Sequence, residues 1–129
     1  KDTQFVAGTA VNIFTNENVV GMPANAFRIK SIAILSDENL AWELQFYSRD
    51  TFQNADADLD TLLERVPFAV GDGQQNAGAG LFRYNMSGLD IPYQDLDATT
   101  ELHLALGSRL GAKAAGAAGE VVVILVLEP

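Results

Sequence analysis

The chain has no cysteine among its 129 residues, which excludes disulfides, a thiolate nucleophile and cysteine-ligated zinc and leaves no clue to redox compartment. Positive charge is scarce: eight Lys and Arg stand against seventeen Asp and Glu, a net charge of −9. Arg28 with Lys30 is the only close basic pair, so nothing offsets the repulsion of phosphate backbones and anionic headgroups. We therefore expect no nucleic-acid partner and no membrane partner. Long hydrophobic runs are missing too, since the longest aliphatic stretch, Val121 to Leu127, is far below the ~20 residues that span a bilayer as a helix. Histidine occurs once, at His103. The first residue is Lys1 rather than Met, from which a trimmed or processed start is expected.

What is present is apolar material in short runs. Hydrophobic residues make up 48% and charged residues 19%, enough to build a core in water, and the length fits one domain over residues 1–129. The periodicity is mostly two, which puts successive side chains on opposite faces of a sheet. In "AWELQFYS", Trp42, Leu44 and Phe46 share one face and Glu43, Gln45 and Tyr47 the other, as in a half-buried strand. In "FRIKSIAIL" the parity changes between Phe27 with Ile29 and Ile32 with Ile34, so keeping all four in the core needs a bulge near Lys30 and Ser31. "ELHLALGS" alternates with Leu102, Leu104 and Leu106 inward and Glu101, His103 and Ala105 outward. "EVVVILVL" does not alternate and reads as a strand covered on both faces. With "VNIFT", "RVPFAV", "LFRYNM" and "IPYQ" this makes about eight strands, Pro67 and Pro92 favouring edge or strand-start positions. The expectation is an all-β, antiparallel β-sandwich of jelly-roll-like form, with an extended N-terminal arm over residues 1–10. The best helix candidate is one turn in "DLDTLLERV", capped by Asp58 or Asp60.

No pattern of catalytic chemistry is complete. "NADADLD" alternates oxygen-bearing side chains as calcium loops do, but such a loop wants glycine at its sixth position and glutamate at its twelfth. Counting from Asp56 these are Thr61 and Pro67; counting from Asn54 they are Leu59 and Arg65. An irregular calcium site at Asp56, Asp58 and Asp60 is the surviving metal candidate, against the commoner reading of a solvated connection. His103 has no G-x-S-x-G serine to act on, and one histidine cannot build a multi-histidine metal centre. A surface or interface role is expected, where titration near Glu101 would make assembly pH-dependent. The stretch beginning at Gly71 lacks the third glycine of a dinucleotide fingerprint, Asn76 standing in its place. Trp42, Tyr47, Tyr84 and Tyr93 offer stacking faces for sugar, with Trp42 on the core parity. No cofactor is expected and no enzymatic activity.

From Ala77 to Pro129 an aromatic strand is followed by "GLDIPY", an acidic turn, "LHLAL", a Gly-Ala loop and a terminal "GEVVV" strand. In that order it resembles small structural proteins of tailed phages, including capsid decoration or cement proteins. The resemblance implies a compact β domain, often a homotrimer, that sits on the virion surface, binds the major capsid protein and stabilises the lattice. It carries over no individual residue. The residues point to subunit contact through Val122, Ile124 and Val126 if the alternate positions of that strand fill the core. Arg109, Leu110 and Lys113, in the small-residue loop 107–119, are the candidate capsid or neighbour contacts. The alternative is a carbohydrate- or receptor-binding module of a phage fibre, neck or tail, with exposed aromatics on one face.

Overall fold

The computed structural model describes residues 2–5, 15–50, 61–75, 81–108 and 121–128. Ten strands occur there: β1 (Asp2–Phe5), β2 (Thr15–Val19), β3 (Ala26–Ser36), β4 (Trp42–Tyr47), β5 (Leu62–Phe68), β6 (Gln74–Gln75), β7 (Phe82–Met86), β8 (Ile91–Gln94), β9 (Leu102–Ser108) and β10 (Val121–Glu128). One sheet runs β1-β10-β3-β7-β6 with β8 also on β3, and the other runs β2-β9-β4-β5. Every pairing is antiparallel.

The pairing is concentric. β4 pairs β5, β3 pairs β7 and β8, β2 pairs β9 and β1 pairs β10, alternating between the two sheets. A long hairpin rolled up on itself gives this order, which is the jelly roll. β7 and β8 behave as one strand in two segments: β8 lies along Ala26–Ile29 of β3 and β7 along Ile32–Ser36. The break falls where β3 itself is irregular. Val126 pairs Ser31 and Leu127 pairs Ile29, leaving Lys30 as the extra residue of a bulge. Opposite it, Gly88 takes a φ of 68° and the Leu89 N–H donates to the Lys30 carbonyl at 3.0 Å.

The bulge is the one that the parity change requires. Phe27 and Ile29 on one side of it, and Ile32 and Ile34 on the other, all lie in the core. Trp42, Leu44 and Phe46 meet them from the second sheet, with Val66, Phe68, Leu102, Leu104 and Leu106. Fully burying a side chain such as Phe46 or Ile34 contributes about 1.5–3 kcal/mol, so these two inner faces hold the sandwich together. Tyr84 crosses the core and ends on polar partners: its hydroxyl donates to Asn39 Oδ1 at 2.6 Å and accepts the Leu40 N–H at 2.9 Å. Pro67 lies on β5, at the edge of its sheet, and Pro92 on β8, which pairs only with β3 among the described residues.

Three expectations need correction. Leu62–Phe68 is a strand and not a helical turn, because its alternate residues Val66 and Phe68 reach the core across β4. β4 is not half-buried: Glu43, Gln45 and Tyr47 are buried as well as Trp42, Leu44 and Phe46. His103 and Ala105 keep the outward parity of β9 yet are both fully buried. Polar residues on an outward face suggest solvent, but here their polar atoms satisfy one another. Of the expected N-terminal arm, Asp2–Phe5 is an edge strand on β10; residues 6–10 lie outside the described set.

Candidate functional site

Among the described residues, the densest polar chemistry sits in the connection from β8 to β9, residues 95–101. Asp95, only 2% exposed, accepts five hydrogen bonds. Its Oδ1 takes the Asp97 N–H and His103 Nε2, each at 3.0 Å. Its Oδ2 takes the Thr99 N–H and Thr99 hydroxyl at 2.9 Å and the Glu101 N–H at 3.1 Å. Burial alone would raise the Asp95 pKa, but the Glu101, His103 and Thr99 donors outweigh it and hold the carboxyl well below the usual carboxylate range. An ionised Asp95 only accepts, so His103 Nε2 is the donor of their bond. The His103 N–H donates to Tyr93 Oη at 2.8 Å, and that hydroxyl donates to the Glu101 carbonyl at 3.3 Å. Burial, with the nearby carboxylates, pushes the Tyr93 hydroxyl pKa up despite the His103 N–H.

This connection is also laced to its neighbours. The Met22 N–H donates to the Thr100 carbonyl, the Thr100 N–H to Asn25 Oδ1 and the Asp95 N–H to the Asn25 carbonyl. On the other side the Leu96 N–H donates to the Ser48 carbonyl, and Asp97 accepts Arg49 Nη1 at 3.0 Å and the Asp50 N–H at 2.9 Å. Ala98 and Thr100 are held at φ of 57° and 53°, left-handed values costly for residues with a Cβ. The many bonds from Asp95 and Asn25 are what holds them there.

Asp95, Asp97 and His103 place one ligand-type atom each within 4.8 Å of one another. The geometry does not suit a cation as it stands. Both Asp95 oxygens are filled by donors, His103 Nε2 points its hydrogen at Asp95, and both Asp97 oxygens are engaged. Asp97 Oδ2 and Glu101 Oε2 lie 3.9 Å from the two His103 nitrogens, so the imidazole is ringed by acids. With no exposure to solvent, His103 meets no substrate as a general base. The arrangement is a loop anchor. Sequence reasoning missed Asp95, although "DLDATTE" carried its signal: an Asp followed at close range by residues whose N–H groups it can accept.

A second polar row runs along the outward face of β4. Tyr47 Oη donates to Gln45 Oε1 and Gln45 Nε2 to Glu43 Oε2, both at 2.6 Å. Arg65 on β5 closes the row with a two-pronged contact to Glu43, at 2.7 and 3.1 Å. The hydrogen bond and the charge of Glu43 raise the Arg65 pKa.

Among the described residues, the tryptophan and tyrosines that could stack on sugar do not form an exposed face. Trp42, Tyr47, Tyr84 and Tyr93 are each no more than 3% exposed, which takes the only tryptophan and all three tyrosines out of reach of a ligand. For Tyr47 sequence parity could not foresee this, because both faces of β4 are covered, whereas Tyr84 and Tyr93 enter the core from β7 and β8. A cleft of about 480 Å³ opens beside Leu63 of β5 and Arg28, Pro92 and Gln94 of β3 and β8. Arg28 there is already engaged with Asp90 at 3.0 Å, and neither His103 nor a pair of carboxylates lines it among the described residues.

The parity expected of β10 holds: Val121, Val123 and Leu125 are buried in the core, Leu127 packs against it, and Val122, Ile124 and Val126 face outward. Asp56, Asp58 and Asp60, and Arg109, Leu110 and Lys113, lie outside the described residues. Among the described residues, no site unites those singled out from sequence. The chain matches no protein-family model and no curated protein.

Proposed function

We propose that this is a non-enzymatic structural protein of a virion, which binds the capsid surface and stabilises the lattice as a decoration or cement protein. The observation that carries the reading is a jelly roll whose outward β10 row is apolar, with Val126 53% exposed. Jelly rolls serve as capsid and lectin domains, among other roles, so the fold alone decides nothing. The apolar row favours a building block over a solitary domain. Its mechanism is multivalent clamping: several weak contacts on one rigid oligomer, a homotrimer in this reading, add up to strong attachment to the major capsid protein. The anchored connection at 95–101 supplies rigidity on one side of the sandwich.

The test is to add the purified chain to capsids that lack it and measure cosedimentation and resistance of the capsids to heat. Binding with a raised disruption temperature is expected. A chain that neither cosediments nor protects would overturn the proposal.

A further inference from the structure

We infer that the side of the sandwich bounded by β5 and β8 is built to refuse an added strand, whether an extended segment of another protein or the edge of a second copy. Strand addition needs a row of backbone N–H and C=O groups left unpaired along an edge. Both sheets end on this side. Among the described residues β5 pairs only with β4 and β8 only with β3, and the cleft between them has Leu63 on one wall and Pro92 and Gln94 on the other. Along an antiparallel ladder successive residues turn their N–H alternately toward the neighbouring strand and away from it, so every second residue addresses the free edge.

On β5 those residues are Leu63, Arg65 and Pro67. The Arg65 N–H fixes the parity, since it donates to Glu64 Oε1 at 3.1 Å and not to β4. The carboxylate next door thus occupies the donor that an incoming carbonyl would need. Pro67, two residues on, has no N–H to offer. Leu63, two residues back, is the extra residue of a bulge, because Phe46 pairs Glu64 while Tyr47 pairs Leu62, and a bulge twists an edge away from flat pairing. Glu64 also shares the parity of the buried Val66 and Phe68 yet is exposed, so a strand laid against β5 would have to cover a charge. On β8 the Asp95 N–H donates to the Asn25 carbonyl at 2.7 Å, in register with the Phe27–Tyr93 and Ile29–Ile91 pairs. The odd-numbered residues therefore face β3, and Pro92 and Gln94 face the edge. Pro92 again brings no N–H. Beyond Gln94 the next outward N–H, that of Leu96, is taken by the Ser48 carbonyl at 2.8 Å, which ties this edge to the end of β4 in the other sheet. Gln94 keeps one outward donor, too little to set the register of a strand. Two prolines, a side-chain cap and a bulge, on strands far apart in sequence, converge on one side of the molecule.

The inference does not rest on the capsid reading, and whatever mass the wild-type chain has in solution is the baseline for its test. Glu64→Thr combined with Pro67→Thr removes the cap and restores a donor on β5, and Pro92→Thr restores one on β8. Threonine favours strands, so circular dichroism and melting should show both variants folded. Sedimentation velocity and native mass spectrometry read association, and amide hydrogen exchange reads where it occurs. The expected result is loss of the wild-type species to larger assemblies that bind thioflavin T. Exchange should slow at Leu63, Arg65 and position 67 in the first variant, and at position 92 and Gln94 in the second. Pro23→Thr, at an exposed proline of the β2–β3 connection, should keep the wild-type mass. Edge variants that keep the wild-type mass, a Pro23→Thr chain that assembles as readily, or assemblies whose β5 and β8 amides exchange as in the wild type would each overturn the inference.

Discussion

Replacing Asp95 by Asn is the sharpest test of what holds the 95–101 connection. The substitution keeps the shape and removes the charge, and it turns one acceptor oxygen into an NH2 donor. Placed at Oδ1, the amide nitrogen faces the Asp97 N–H and His103 Nε2; placed at Oδ2, it faces the Thr99 and Glu101 N–H groups. Either way at least two hydrogen bonds to a charged acceptor are lost. At about 1.5–3 kcal/mol for each bond to a charged group, the cost is about 3–6 kcal/mol. That is a large part of the ~5–15 kcal/mol by which a domain is stable. The melting temperature should fall by roughly 10–20 °C, read by circular dichroism. The effect carries a pH signature. Because the folded Asp95 pKa is depressed, its stabilisation is present above the unfolded value of about 3.9 and is lost as pH falls toward the folded one. The gap between wild type and Asp95→Asn should therefore be widest near neutrality and close progressively below about pH 4. A variant that melts within ~2 °C of wild type at neutral pH, against the shift worked out above, would refute the anchor.

Three further outcomes follow from other positions. A Cβ on Gly73 would overlap Asn39 Oδ1 and sit 2.9 Å from Tyr84 Cε2, so Gly73→Ala should cost about 1–3 kcal/mol in urea denaturation, and an unchanged midpoint would remove that packing argument. Gly88 has open space around it but a φ of 68°, so Gly88→Ala should cost about 1–2 kcal/mol through the backbone alone, leaving the β7–β8 break in place by hydrogen exchange. Millimolar calcium followed by a chelator should leave the melting temperature and the oligomeric mass unchanged; a rise of several degrees with calcium would put an ion at Asp56, Asp58 and Asp60 or at the Asp95 cluster.

Strand identity was written locally. Side chains alternate faces along a strand, so Trp42, Leu44 and Phe46, and Leu102, Leu104 and Leu106, could be assigned to the core from their spacing alone. The Lys30 bulge was legible for the same reason, since a parity change inside one strand has no other remedy. The outward set of β10 followed from filling the core with its alternate residues. Burial of the other face was not local. Glu43, Gln45, Tyr47 and His103 look solvated in sequence because they are polar on an outward parity, yet each finds hydrogen-bond partners that make burial affordable.

By itself, then, the sequence determined the sandwich class, the inward residues and the position of the bulge, because each rests on contacts within a few residues. Only the tertiary structure decided that β1 closes on β10, that the tyrosines are unavailable to a ligand, and that Asp95 ties the 95–101 connection to His103, with Asn25, Ser48 and Arg49 lacing its other residues. Those outcomes depend on residues as distant as Asp2 and Ile124, or Asn25 and Thr100, and no periodicity within one strand can encode a partner so far away.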